Sequence, residues 1–323
     1  VRFLRASHRG LQGATRHINR WLVRGLRAEA PKRECSVIAF VPLSRAVDTE
    51  GLVRTMGGYL AGQSLAVELV TTANRPAKSD TLSAMEALND VVFLVTSPDH
   101  PDWTQMAVAN CDRVVLLQQP GARDLPEPDI MAICGPGHRP TVDLVTVHPA
   151  AAAQAQLPAH AQPGVQIDAY LHIRAGERAD SDFLARFLVG RAVGMVFAGG
   201  GARGFAHLGV VKAFREAGIP VDMTGGTSMG AIIGAGIACQ WSIDHFLDRL
   251  HRLFAMSSPV RDYTLPLVSI VRGRLVARRL QSAFGEIDIE RMWRPFFCVS
   301  SDLTLGRPRV HRAGRLWRAL RAS

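Results

Sequence analysis

Two glycine-rich turns constrain this chain more than any other feature. The first, Gly199-Gly200-Gly201-Ala202-Arg203-Gly204, follows an apolar run over 193–198 and opens a helical stretch in which Leu208, Val211 and Phe214 share one side, up to Gly218. The second, Gly225-Gly226-Thr227-Ser228-Met229-Gly230, follows a run over 219–223 and opens a small, apolar stretch over 231–238. Strand, glycine turn and helix, repeated in close succession, are the grammar of a parallel sheet with crossover helices. Glycines at such junctions let backbone N–H groups point outward at a helix N-terminus, where negative charge is stabilised.

Three chemistries compete for the first turn. A phosphate-binding P-loop needs Gly-Lys-Ser/Thr at its end, and Gly204 is followed by Phe205, so that reading fails. A dinucleotide fingerprint fits better: strand, G-x-G-x-x-G, helix, then Asp222 at the end of a second strand, where it would meet a ribose. The second turn shifts the balance. G-x-S-x-G between strand and helix is a nucleophile elbow, with Gly226 and Gly230 relieving the crowding around a strained turn that exposes Ser228. Alone the pattern is weak. Next to a glycine loop on the neighbouring strand it is strong, because adjacent parallel strands bring both to one sheet edge, where loop N–H groups face the carbonyl that Ser228 attacks.

At these residues the chain resembles the patatin-like phospholipases, whose oxyanion loop reads G-G-G-x-R-G and whose elbow reads G-x-S-x-G. His207 and Gly209 look like the family's H-x-G after the loop. Further along, Asp262-Tyr263-Thr264-Leu265-Pro266-Leu267, Ile289-Glu290-Arg291-Met292-Trp293 and Phe297-Cys298-Val299-Ser300 look like the neuropathy target esterase branch, as does an upstream Rossmann-like region with Asp102-Trp103-Thr104. The resemblance covers about residues 15–323 and is tightest over 193–236. It implies a Ser–Asp dyad with Ser228 as nucleophile, an oxyanion hole formed by Gly199, Gly200, Gly201, Ala202, Arg203 and Gly204, and an elbow of Gly226, Thr227, Met229 and Gly230. It also implies a phospholipid or lysophospholipid substrate, no cofactor, and cyclic-nucleotide-binding domains upstream, none of which is visible in this sequence. The dyad needs no histidine, so His207 is expected to make a structural hydrogen bond.

The family places its catalytic aspartate in Asp-Gly-Gly or Asp-Gly-Ala, and no aspartate here is followed by glycine. The start at Val1 and the end at Arg321-Ala322-Ser323, which resembles the segment before that motif, lead to the expectation of a piece truncated at both ends and inactive by itself. Ser228, Asp302 and His311 stand in the order of an α/β-hydrolase triad, but Asp302 reads as a strand end with a polar turn and His311 as part of a surface strand. Asp222, just before the elbow, reads as a strand-terminal hydrogen-bonding residue.

Strand-like runs at 37–41, 65–70, 91–95, 114–117 and 142–147 alternate with helical stretches at 49–60, 80–88 and 102–109. The expected organisation is an amphipathic connector helix over 1–34, a Rossmann-like structural or regulatory domain over 35–148, a linker and lead-in helix over 149–190, and a hydrolase domain over 191–323. The fold class is α/β, with two parallel-sheet units, the second an incomplete patatin-like three-layer domain. The stretch Pro42-Leu43-Ser44 after the first strand lacks the glycines of a dinucleotide turn.

Composition adds limits. No apolar run reaches the roughly 18 residues of a membrane span, and no signal peptide is recognisable. The five cysteines are scattered and odd in number, as for reduced core thiols in the cytoplasm, and no CxxC or HExxH spacing points to a metal. A net charge of +10 rests almost wholly on arginine, and no basic residues are interleaved with aromatics on a nucleic-acid module. Arg272, Arg274, Arg278 and Arg279 are candidates to meet lipid phosphates at a peripheral membrane surface, with a solvated helix face as the plainer account. Apolar residues after the elbow are expected to accept acyl chains. The rival functions are a dinucleotide-binding module and a non-catalytic lipid-binding fragment.

Overall fold

A computed structural model describes residues 36–76, 79–121, 125, 128–134, 139–156, 166–254 and 273–323. The connector helix expected over 1–34, Cys35, Arg272 and the segment Asp262 to Leu267 lie outside the described residues.

The first sheet is parallel throughout, in the order β2-β3-β1-β4-β5-β6. Its strands are β1 (Ser36–Pro42), β2 (Val67–Val70), β3 (Val91–Val95), β4 (Arg113–Gln118), β5 (Thr141–His148) and β6 (Ala169–Arg174). The crossovers are α1 (Thr49–Gly62), α2 (Ser79–Leu88), α3 (Pro101–Ala109) and the short α4 (Ile130–Cys134). All five residues of β3 are buried, as expected of a parallel strand covered on both faces. Asp48 caps α1 by accepting the Gly51 N–H at 2.9 Å, and Phe40 and Phe93 meet edge-to-face at 5.3 Å inside the core.

One expectation needs correction here. Within residues 149–190, read as linker and lead-in helix, the helix is present as α5 (Arg178–Leu188), but the stretch also supplies the strand β6, and both pack on the first sheet and its core. The proline- and alanine-rich start of the stretch hid the strand behind it, because Ala169-Tyr170-Leu171-His172-Ile173-Arg174 is too short and too polar to stand out as an apolar run.

The second sheet runs β10-β9-β8-β7. Strands β7 (Gly194–Phe197), β8 (Met223–Gly226) and β9 (Phe296–Asp302) are parallel, and β10 (Arg307–His311) is antiparallel to β9. Helices α6 (Ala206–Glu216), α7 (Met229–Ala238), α8 (Ile243–Phe254), α9 (Arg274–Phe284) and α10 (Leu316–Ala322) complete it. The strand before the elbow starts at Met223, not at residue 219, because the Ile219 N–H closes the end of α6 on Phe214 O at 2.8 Å and Pro220 follows. All ten residues of α7 are buried. Its glycines let it lie against its neighbours: a Cβ on Gly236 would come within 2.2 Å of the Phe246 ring.

Arginine–carboxylate pairs join the two sheets. Arg186 on α5 donates to both oxygens of Asp222 at 2.6 and 2.8 Å and to the Tyr59 hydroxyl at 2.8 Å. Arg294 stacks over Phe183 at 4.1 Å and donates to Asp180 at 2.7 Å, and Asp180 also takes two bonds from the Arg174 side chain. Burial alone would raise Asp180, but Arg174 and Arg294 hold its carboxyl below the usual range.

Candidate active site

Sequence and steric crowding together make the elbow. Strand β8 ends at Gly226 and α7 begins at Met229, so Thr227 and Ser228 must reverse the chain in two residues. Ser228 does so at φ 55° and ψ −126°, a conformation rare for a residue with a side chain. Tightness on either side explains the flanking glycines. A Cβ on Gly226 would lie 2.5 Å from the Gly230 carbonyl, and one on Gly230 would lie 2.1 Å from Phe197 O. The second contact ties the end of β7 to the start of α7. Thr227 and Ser228 are exposed while Met229 and Gly230 are buried, so the serine hydroxyl stands out at the sheet edge.

The glycine loop reaches the same edge because β7 and β8 are parallel neighbours, with Phe197 opposite Gly226. A Cβ on Gly199 would sit 3.2 Å from Ser228 Cβ, which puts the loop directly beside the nucleophile position. The loop then winds into a 3-10 turn over Gly201–Phe205, with Gly201 at φ 56°. Arg203 N–H is bonded to Gly200 O at 3.2 Å, leaving the N–H groups of Gly201 and Ala202 ahead of the first closed turn. Gly204 is buried, and a Cβ there would come 2.2 Å from Met229 Cγ, so its smallness locks loop to elbow. The Arg203 side chain is exposed.

Other candidates are engaged elsewhere. His207 bonds to Ala198 O at 3.0 Å and packs on Phe197, the structural role expected of it. Asp222 is 1% exposed, paired with Arg186, and accepts the Val193 N–H at 2.9 Å. Asp302 accepts the N–H groups of Thr304 and Leu305 at 3.0 Å, closing the turn into β10. His311 bonds to Ser300 Oγ at 2.7 Å and is paired in the ladder with Cys298, about four residues or ~13 Å along the strand from Asp302. The Ser228–Asp302–His311 triad is therefore not assembled. Cys298 on β9 is fully buried, and burial pushes its thiol up to about 12, so it is no rival nucleophile.

The apolar residues of α7 expected to receive acyl chains are consumed in the core against Phe197, Phe246 and Phe296. Sequence reasoning missed the apolar surface that is available. Phe205, Leu247, Leu250 and Phe254, with Asp248 and His251 at their side, line an open hollow of about 540 Å³, and Phe205 directly follows Gly204 of the loop. The amphipathic pattern of α8 could have signalled it. Of the arginine cluster, Arg274 and Arg278 are exposed on α9, whereas Arg279 is half-buried and donates to Leu253 O at 2.9 Å. Among the described residues no group of three His, Cys, Asp or Glu side chains could hold a metal, and no helix is long and apolar enough to cross a membrane.

Comparison with known proteins agrees with this geometry. The family model of the patatin-like phospholipases matches residues 195–323. The chain is 42% identical over 154 residues to patatin-like phospholipase domain-containing protein 6 of Mus musculus, covering 46% of this chain and 11% of that protein, with the same figures for the Homo sapiens protein. It is 30% identical over 310 residues to neuropathy target esterase sws of Drosophila grimshawi, covering 84% of this chain and 21% of the relative. The chain thus spans only 11% to 21% of the length of these relatives. The α/β fold, the paired glycine turns and the family match converge on one statement: residues 195–323 match the patatin-like phospholipase domain.

Proposed function

We propose that this chain carries the nucleophile and the oxyanion loop of a serine hydrolase acting on the acyl esters of phospholipids or lysophospholipids. The observation that carries the reading is the juxtaposition of an exposed Ser228 at φ 55° with the glycine loop, where a Cβ added to Gly199 would crowd the serine Cβ at 3.2 Å. Ser228 Oγ attacks the ester carbonyl. The resulting oxyanion is held by N–H groups of the Gly199 to Gly204 loop, the alcohol portion leaves with a proton, and water cleaves the acyl-enzyme. No carboxylate among the described residues is hydrogen-bonded to the Ser228 hydroxyl, and the base in this reading is the aspartate of the family's Asp-Gly-Gly or Asp-Gly-Ala motif, which does not occur in residues 1–323. Residues 1–323 alone then bind acyl esters and turn them over poorly.

The acyl chain is assigned to the hollow of Phe205, Leu247, Leu250 and Phe254, which adjoins the loop and falls within the size of ordinary ligand pockets. The exposed Arg274 and Arg278 support a peripheral approach to a lipid surface on the cytoplasmic side. For residues 36–190 we infer a structural role, supported by the Arg186–Asp222 pair that ties α5 to the start of the elbow strand. The same pair weighs against the dinucleotide reading, since the carboxylate needed for a ribose is already occupied.

The test is fatty-acid release from lysophosphatidylcholine by the full-length gene product. Activity abolished by Ser228→Ala supports the reading. Activity that survives the substitution sinks it.

A further inference from the structure

The hydrogen-bond ladder between β8 and β9 ends at the pairing of Gly226 with Cys298, because the chain must leave the sheet to turn the elbow. Beyond that point the Ser228 N–H faces β9 with no strand partner. The Ser323 hydroxyl fills the gap. It accepts the Ser228 N–H at 3.0 Å and donates to Val299 O at 2.7 Å, adding one side-chain rung where the backbone ladder stops. Ser323 is held in place in turn. Its own N–H bonds to Ala319 O at 3.1 Å, continuing the last turn of α10, and α10 is anchored in the second core by Leu316, Ala319 and Leu320.

A serine hydroxyl has one proton. Here it goes to Val299 O, so Ser323 has none to offer Ser228 Oγ and receives only the backbone N–H. From this we infer that Ser323 is a positioning residue for the nucleophile: its hydroxyl latches the strained elbow to β9 and withdraws the Ser228 N–H from the donors open to an oxyanion. The inference rests on the proposed role of Ser228. It has two consequences. The elbow conformation, costly for a residue with a side chain, is kept by an interaction from a helix distant in sequence. The negative charge of the tetrahedral intermediate is left to the glycine loop, and any displacement of α10 reaches the nucleophile directly.

The experiment compares wild type, Ser323→Ala and Ser323→Thr in the full-length protein, with two readouts. Amide hydrogen exchange at Ser228, resolved by fragmentation mass spectrometry, reports the latch. The rate of covalent labelling by a fluorophosphonate, separated into its maximal rate and its half-saturating concentration, reports the nucleophile. Losing one hydrogen bond of this kind predicts exchange faster by about tenfold and a maximal labelling rate lower by about tenfold in the alanine variant, with half-saturation unchanged. The threonine variant, which keeps the hydroxyl, restores both. Unchanged exchange in Ser323→Ala overturns the latch, and so does a threonine variant as impaired as the alanine one. Wild-type protein that is never labelled at Ser228 overturns the assignment of the nucleophile and with it the catalytic half of the inference, while exchange still decides the latch.

Discussion

Arg186 and Asp222 form a two-pronged ion pair, with both guanidinium–carboxylate contacts under 3 Å, across the junction between the first sheet and the strand that ends in the elbow. Asp222 also takes the Val193 N–H, so one carboxylate fixes the entry to β7 and the approach to β8 together. The pair is nearly buried, at 13% and 2% side-chain exposure, and removing one partner strands the other charge away from water. Arg186→Ala is expected to cost about 3–5 kcal/mol in urea-induced unfolding. A loss below ~1 kcal/mol would mean that the pair holds nothing in place.

The glycines of the elbow and of the loop are expected to respond differently to an added methyl group. In Gly230→Ala the new Cβ meets backbone, Phe197 O at 2.1 Å, which no side-chain rotation relieves. Stability falls by about 2–4 kcal/mol, with loss of Ser228 reactivity. Gly201 has open space around its Cβ position and only the left-handed φ of 56° to resist substitution, so Gly201→Ala costs about 1–2 kcal/mol. Thermal melts of the two variants side by side test the ranking.

The hollow beside the loop predicts a chain-length effect. Leu247 is 42% exposed at its rim, so Leu247→Asp should leave folding intact. Asp248 already stands in the lining; a second carboxylate in place of the apolar Leu247 makes burial of an acyl chain costly, and KM for long-chain esters should rise about tenfold or more while short-chain esters are unaffected. Equal effects on a butyrate and a palmitate ester would remove the hollow from the site.

Acid should loosen the junction between the sheets. His148 and His172 are buried side by side, Nε2 to Nδ1 at 3.1 Å, and the second nitrogen of His172 lies 2.7 Å from Glu290 O. Burial first, and His172 second, lower His148 to about 4, against the opposing pull of Asp180; burial also lowers His172, opposed by its bond to the Glu290 carbonyl and helped by Arg291. Below pH ~6.5 the unfolded chain binds protons that the folded one refuses, so stability is full above that pH and declines as the pH falls toward 4. The expected loss is roughly 1–3 kcal/mol, read as the change in urea midpoint between pH 7.5 and pH 4.5. His148→Phe, which keeps the ring against Trp293, should flatten that slope. The Asp180 contribution is lost only at lower pH, because its carboxyl is held below its ordinary value.

Much of this architecture was legible in the residues. The run over 91–95 is β3, the helix expected at 102–109 starts one residue earlier at Pro101, and both glycine turns stand at strand ends. These are local signals, apolar runs punctuated by glycine and proline. Legibility failed where tertiary context overrode them. Strand β6 gains its place by pairing with β5, not by its own weak pattern, and the apolar residues of α7 were read as ligand-facing when the glycines among them bring the helix onto the sheet. Ser323 could not have been singled out, because its partner lies 95 residues away and the contact uses a backbone N–H that no sequence pattern marks.

The central claim is that Ser228 is the nucleophile. The most direct measurement is the intact mass of the full-length gene product after exposure to a fluorophosphonate, followed by peptide mapping. The account predicts a single phosphonyl adduct on the peptide containing Ser228 and none in Ser228→Ala. A full-length protein that stays unmodified at Ser228, or carries the adduct on another residue, contradicts it.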